Sequence, residues 1–167
     1  TLGAADVRAA IAAGAAGVVV GALTDDGQVD AQALRRWRAA AGDSTLVFHR
    51  AIDAAPSPLA VLDELAAIGV DRVLTSGGAA RSVDGTDMLR LLVAADTGIE
   101  IMAGGGIRVG DIARIVAVGV DAVHLSARAV TGLDAPSGPG GGAGGHDVTD
   151  PVVVAAAAAA VRSTLSE

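Results

Sequence analysis

The chain has 167 residues, enough for one domain, and its 12 cationic residues, all arginine, stand against 19 acidic ones for a formal charge of −7. So acidic a chain lacks the basic face that phosphate neutralisation needs, which argues against nucleic acid and anionic membrane surfaces as partners. There is no cysteine, so a disulfide framework, a thiolate nucleophile and a thiolate metal site are all excluded, and no apolar run reaches the roughly 18 residues needed to span a bilayer.

In chain order, Thr1–Ala13 reads as the middle and end of a helix, so the sequence is expected to be a fragment. It opens without an initiator Met, a positive n-region or an apolar h-region, and a soluble, cytoplasmic protein is expected. Gly17–Gly21 is the first expected strand, followed by a polar turn at Thr24-Asp25-Asp26-Gly27. Leu34 and Trp37 then mark the core face of a helix. Thr45–Arg50 is the second strand, and Leu59, Leu62, Leu65 and Ile68 recur at helical spacing after it. Arg72–Thr75 and Glu100–Ala103 are the third and fourth strands. Ile112, Ile115 and Val116 face the core from the next helix, and Ala122–Ser126 is the fifth strand. Residues 132–149, with Gly140-Gly141-Gly142 inside them, are expected to form a flexible glycine-rich loop within the single domain 1–167. Asp150 as N-cap and Pro151 at the first helical position start a last helix, carrying Ala155–Ala160, that should close the outer layer.

The junctions repeat. A glycine where each helix should stop is followed at once by a strand at Gly14 to Val18, at Gly69-Val70-Asp71-Arg72-Val73 and at Gly119-Val120-Asp121-Ala122-Val123. Strand and helix alternating at this spacing fit either a doubly wound sheet or a (β/α)8 barrel. No Gly-x-Gly-x-x-Gly follows the first strand, so the barrel leads. A complete barrel takes about 250 residues and eight strands. The expected fold is therefore α/β, a partial TIM (β/α)8 barrel of about five βα units lacking the first three strands.

Chemistry on a barrel sits at the carboxyl ends of the strands. The second strand ends Phe48-His49-Arg50-Ala51-Ile52-Asp53, gathering an imidazole, a guanidinium and a carboxylate. His49 is a candidate acid/base, Arg50 a candidate anion clamp and Asp53 their partner; the plain alternative is a structural Arg50–Asp53 ion pair beside a packed His49. Alternation sends His49 and Arg50 to opposite faces without saying which enters the mouth. After the fourth strand, Gly104, Gly105 and Gly106 leave backbone N–H groups free to approach an anion, with Ser126 and Arg128 from the fifth strand as partners; a tight turn is the alternative. His124 shares parity with Ala122 and Ser126 and enters the barrel if Val123 and Leu125 meet the helices. His146 reads as solvated surface.

Taken in order, Gly17–Gly27, Phe48–Asp53, Arg72-Val73-Leu74-Thr75-Ser76-Gly77-Gly78, Met102–Ile107 and His124-Leu125-Ser126-Ala127-Arg128 resemble the copper homeostasis protein CutC family across nearly the whole chain. The resemblance implies a TIM barrel, usually oligomeric, with Gly17–Gly21 as its fourth strand and strands one to three without a counterpart here. The family's second motif more often reads Phe where this chain has Ile52. The residues carried over are His49, Arg50, Asp53, Thr75, Ser76, Gly104, Gly105, Gly106, His124 and Ser126. As a copper ligand set the chain offers His49, His124 and Met102, two of them equally explained by packing, whereas intracellular Cu(I) prefers soft sulfur ligands.

Three functions compete. The resemblance implies copper homeostasis through binding or trafficking, with the copper ion as ligand and a homo-oligomer as the assembly. The glycine-lined mouth with a histidine suits an orphan barrel enzyme acting on a small anionic or phosphorylated metabolite. A five-strand arc that leaves Gly17–Gly21 as an open edge would instead be a remnant that associates or aggregates.

Overall fold

In the computed structural model, which describes residues 3–131 and 146–165, strand and helix alternate as the apolar periodicity requires. Helix α1 (Ala4–Ala12) leads into β1 (Gly17–Val20), α2 (Ala31–Ala41), β2 (Thr45–Phe48), α3 (Pro58–Ile68), β3 (Arg72–Thr75) and α4 (Thr86–Ala94). Then come β4 (Glu100–Gly104), α5 (Ile112–Val116), β5 (Ala122–His124), β6 (Arg128–Thr131), β7 (His146–Thr149) and α6 (Pro151–Leu165).

Strands β1 to β5 form one parallel sheet in sequential order. A doubly wound sheet reverses its strand order at a switch point. Sequential order with right-handed crossovers places every helix on one face, which is the winding of a (β/α)8 barrel. The sheet is thus a five-strand arc of that barrel.

Register sorts the side chains of the arc. Val20, Leu46, Phe48, Val73, Ile101 and Ala103 share the helix-facing side and are all buried, packed with Leu34, Trp37, Leu62, Leu65 and Leu89. The alternate positions Val19, Arg72, Leu74, Glu100 and Met102 form the inner face, where Arg72 Nε donates to Glu100 at 2.7 Å. Val19 is 58% exposed while its neighbour Val20 is 3%, so the inner face at the β1 edge is open to solvent. In α3 the apolar face runs through Val61, Leu62, Leu65 and Ile68; Leu59, in the first turn, stays at the surface.

The Gly-Val-Asp junctions do more than stop helices. Gly69 takes the left-handed conformation after α3, and the Asp71 that follows exchanges two hydrogen bonds with the strand before it: its N–H donates to Leu46 O at 3.0 Å, and its Oδ2 accepts from Leu46 N at 2.7 Å. Asp121 repeats the clasp on Ile101, at 3.0 and 2.7 Å. Each aspartate satisfies the amide of a strand's second residue, a donor that needs a partner near the strand's start. Arg38, reaching across from α2, donates to Asp71 Oδ2 at 2.9 Å and to the Gly69 carbonyl.

The observed strand ends differ from expectation at the mouth. β2 stops at Phe48, because His49 caps a 3-10 turn, Arg50–Ala54, its Nδ1 accepting from Ala51 N at 3.1 Å. β5 stops at His124, and β4 runs on to Gly104. Within the expected loop 132–149, His146–Thr149 is a strand, paired antiparallel with Arg128–Thr131 and tied by Arg128 to Asp147 at 2.9 Å; the rest, 132–145, lies outside the described residues. Asp150 caps α6, its Oδ1 accepting from Val152 N at 2.8 Å, and α6 packs on α5 with Ala157 buried. Loop and helix meet tightly after β3. A Cβ on Gly77 would fall 2.3 Å from the Gly85 carbonyl oxygen, and one on Gly85 would fall 2.0 Å from that of Ser76.

Candidate functional site

The residues singled out at the strand ends converge on the carboxyl end of the arc. Asp53 lies at its centre, and its carboxylate accepts from Arg50 Nε at 2.7 Å, Thr75 Oγ1 at 2.5 Å, Ser76 Oγ at 3.0 Å, Ser76 N at 3.1 Å and Gly78 N at 3.1 Å. Burial pushes this carboxyl up, but the Thr75 hydroxyl, the Arg50 guanidinium and the Ser76 and Gly78 amides together hold it below the usual carboxylate range. Asp53 is therefore an ionised anchor. With every lone-pair direction occupied, it positions the β3 loop and Arg50 and is not available as a general base.

Arg50 does not obey strand alternation, since it has already left the strand for the 3-10 turn. Its side chain swings over the mouth, where Nη2 donates to Ser76 Oγ at 2.7 Å and Nε to Asp53. Nη1 has no partner among the described residues, and a Cβ on Gly105 would stand 3.1 Å from it. The guanidinium is thus fixed on one edge and open on the other, 43% exposed. His49 lies on the inner face: a Cβ on Gly21 would strike its ring at 2.3 Å, so Gly21 is the slot that receives the imidazole. Its Nδ1 is an acceptor in the cap, which leaves Nε2 as the nitrogen facing outward from the turn.

The three glycines at the end of β4 and just beyond it have separate duties. Gly104 sits in the strand where Leu74 Cδ1 and His124 Cβ close in, so its missing side chain makes room for their packing. Gly105 lies under Ser76 and Arg50, and its carbonyl accepts from Ser82 N at 2.9 Å. The Gly106 carbonyl accepts from Arg81 Nε at 3.2 Å. The N–H groups of Gly105 and Gly106 donate to no acceptor among the described residues, as an anion-binding loop requires.

Val123 and Leu125 line a cavity against α6, so His124 takes the inner face with Met102; Met102 pairs with Ala122, which makes Met102 and His124 diagonal neighbours on adjacent strands. His124 is exposed. His49 follows the end of β2, with Leu74 of β3 intervening. Among the described residues no three His, Asp or Glu side chains cluster closely enough to hold a metal ion. Ser126 and Arg128 sit beyond β5, exposed, next to Ala127, which is held at φ 35°. One residue that motif reading passed over, Arg108, stands beside them. In the sequence it is merely the last residue of the glycine string, and only its nearness to Ser126 and Arg128 across the β4–β5 gap gives it significance.

Two further cavities lie away from the mouth. One, about 500 Å³, is an apolar groove between the outer side of β5 and α6, at the arc's open edge. Another, about 250 Å³, lies at the opposite end near Asp96 and Gly119. Neither gathers the strand-end residues.

Comparison with known proteins agrees with this architecture. The family model described as CutC family matches residues 2–129. A family protein CutC of Serratia proteamaculans is 39% identical over 113 residues, 68% of this chain and 45% of that protein. One from Treponema denticola is 41% identical over 124 residues, 73% of this chain and 50% of its own length. The chain spans about half the length of the curated relatives it matches. Among solved structures, one from Streptococcus agalactiae, named as a copper homeostasis protein CutC, superposes with a TM-score of 0.68 at 29% identity, covering 72% of this chain and 60% of that one. Inosine 5′-monophosphate dehydrogenase of Legionella pneumophila superposes with a TM-score of 0.66 at 18% identity, over 97% of this chain and 62% of its own, a likeness of fold alone. With strand order and sequence in agreement over most of its length, the chain belongs to the CutC family.

Proposed function

We propose that this chain serves copper homeostasis, with the copper ion as its cargo. Family membership carries the reading, and the inner face supports it. Met102 of β4, His124 of β5 and His49, just past the end of β2, lie on that side, and imidazole and thioether groups suit copper in a chain without thiolates. The test is titration with Cu(I) against a competing chromophoric chelator. One copper per chain is expected, weakened at least tenfold in His49→Ala, His124→Ala and Met102→Leu, since each removes one donor of three. An unaltered chain that fails to compete for copper ends this reading.

A second reading is favoured by the Arg50 guanidinium. It is braced on Asp53 and Ser76 with one edge free above Gly105, the arrangement of a preorganised anion receptor. In this reading the chain is part of a barrel enzyme whose substrate is a small anionic or phosphorylated metabolite. Gly105, Gly106, Ser126 and Arg128 hold the anion, and His49 acts as acid/base through Nε2. Sugar phosphates should raise the melting temperature of the wild type and not of Arg50→Gln; a panel that stabilises neither counts against it.

A further inference from the structure

Between the ends of β4 and β5 and the first turn of α6 lies a cavity of about 310 Å³. Its composition is two-sided. Arg108, Ser126 and Arg128 border it with cationic and hydroxyl groups, while Ile107, Leu125 and Val153 give it an apolar floor. The Arg108 side chain has no ion pair or hydrogen bond among the described residues, although its own N–H donates to Asp111 at 2.9 Å. Arg128 is engaged at Nη1 by Asp147, and its Nε and Nη2 have no partner among the described residues. The Ser126 hydroxyl is likewise without a partner among the described residues.

The surrounding charges define what the cavity can hold. Asp111 is already shared between Arg81 and the Arg108 amide, Asp147 is paired with Arg128, and Asp150 faces the α6 amides. The α6 N-terminus is therefore neutralised by its own cap, and the attraction for an anion comes from the two guanidinium groups. The Arg108 guanidinium and the remaining donors of Arg128, with a hydroxyl, match the tetrahedral oxygens of a phosphate group, which accept several charge-assisted hydrogen bonds at once. Bare phosphate would leave the floor of Ile107, Leu125 and Val153 wet. A cavity of this volume, at the small end of the range for ligand sites, has room for a compact apolar body as well.

From this cavity we infer that the chain binds a small phosphate monoester with an apolar body, its phosphate held by Arg108, Arg128 and Ser126 and its body on Ile107, Leu125 and Val153. The inference deepens the second reading above, with which it shares Ser126 and Arg128, and rests on it: it adds Arg108 to the groups that hold the anion and adds a preference for an apolar substituent.

The experiment is calorimetric titration of the chain with phenyl phosphate, inorganic phosphate and phenol at low ionic strength. Phenyl phosphate is expected to bind at least tenfold more tightly than inorganic phosphate, and phenol not measurably. Arg108→Gln and Arg128→Gln should each weaken phenyl phosphate about tenfold or more, as loss of one charge-assisted contact does. Both residues are exposed, so both variants should fold, which unchanged circular dichroism checks. Equal affinity for phenyl and inorganic phosphate, or binding indifferent to Arg108→Gln, overturns the inference while leaving the second reading standing. If none of the anions binds, the inference and the second reading fall together.

Discussion

At the scale of single residues, Asp53 is the centre on which the mouth depends. Its carboxylate is the shared acceptor for Arg50, Thr75, Ser76 and Gly78, and removing its charge leaves a guanidinium without its counter-ion and two loop amides with a weaker acceptor. Asp53→Asn should cost about 2 kcal/mol of stability in urea unfolding. The pH dependence has a definite sign. A carboxyl lowered below its ordinary value of 3.8 contributes stability in full above that value, and the contribution is lost as pH falls through the lower folded value. The difference between wild type and Asp53→Asn should therefore be constant above about pH 5 and shrink steadily below about pH 4; a constant difference down to pH 2 would show that the charge of Asp53 is not what holds the loop. The grouping of His49, Arg50 and Asp53 is visible in the string itself, because five consecutive positions carry it. The direction of Arg50 is not, since alternation describes only a residue still in the strand, and the His49 cap ends β2 at Phe48, two residues earlier. Arg108 was invisible for a different reason: its partners in space come from β5 and α6, and nothing local marks it.

At the scale of elements, the Gly-Val-Asp junction is the recurrent device of the fold. Glycine at the helix end followed by a β-branched residue is readable as stop and restart, and the structure bears out all five expected strands with shifts of at most two residues at their ends. The role of the aspartate was not readable, because its partners, Leu46 and Ile101, lie 25 and 20 residues away in sequence. Replacing Asp121 by Ala leaves the Ile101 amide without its side-chain acceptor and should cost about 1 kcal/mol. Hydrogen exchange at the Ile101 amide should accelerate by about fivefold or more, beyond the change at core amides of α3. Exchange that stays uniform across the sheet would mean that the clasp adds nothing local. The β6–β7 hairpin was missed outright. His146-Asp147-Val148-Thr149 adjoins a glycine-dominated stretch whose composition argues for loop, and the ion pair from Arg128 to Asp147 that helps fix it spans that stretch.

At the scale of the whole molecule, a parallel sheet is stable where both faces and both edges are covered, and this arc leaves the inner face at β1 open. Counting strands in the sequence was enough to find the arc, since each βα unit announces itself through one β-branched run and one helical stripe. Exposed Val19 marks the side from which association should begin. Static light scattering of the chain at increasing concentration should show self-association, and Val19→Lys should suppress it, because an inward-facing charge on an edge strand opposes pairing without touching the core. Scattering unchanged by Val19→Lys would place the contact elsewhere, the apolar groove between β5 and α6 being next in order.

The contact of Gly77 with Gly85 bears on how this protein can vary. Each position excludes a side chain because the other's strand of backbone, through the Gly85 and Ser76 carbonyls, already occupies the place where a Cβ would go. The obstruction is main chain, so no compensating change of neighbouring side chains can relieve it. In a library with both codons randomised and selected for soluble expression, only the glycine pair should survive, and single replacements should not be rescued by any partner at the second position. Substitution is thereby barred at a point within the very loop that Asp53 holds through the Ser76 and Gly78 amides.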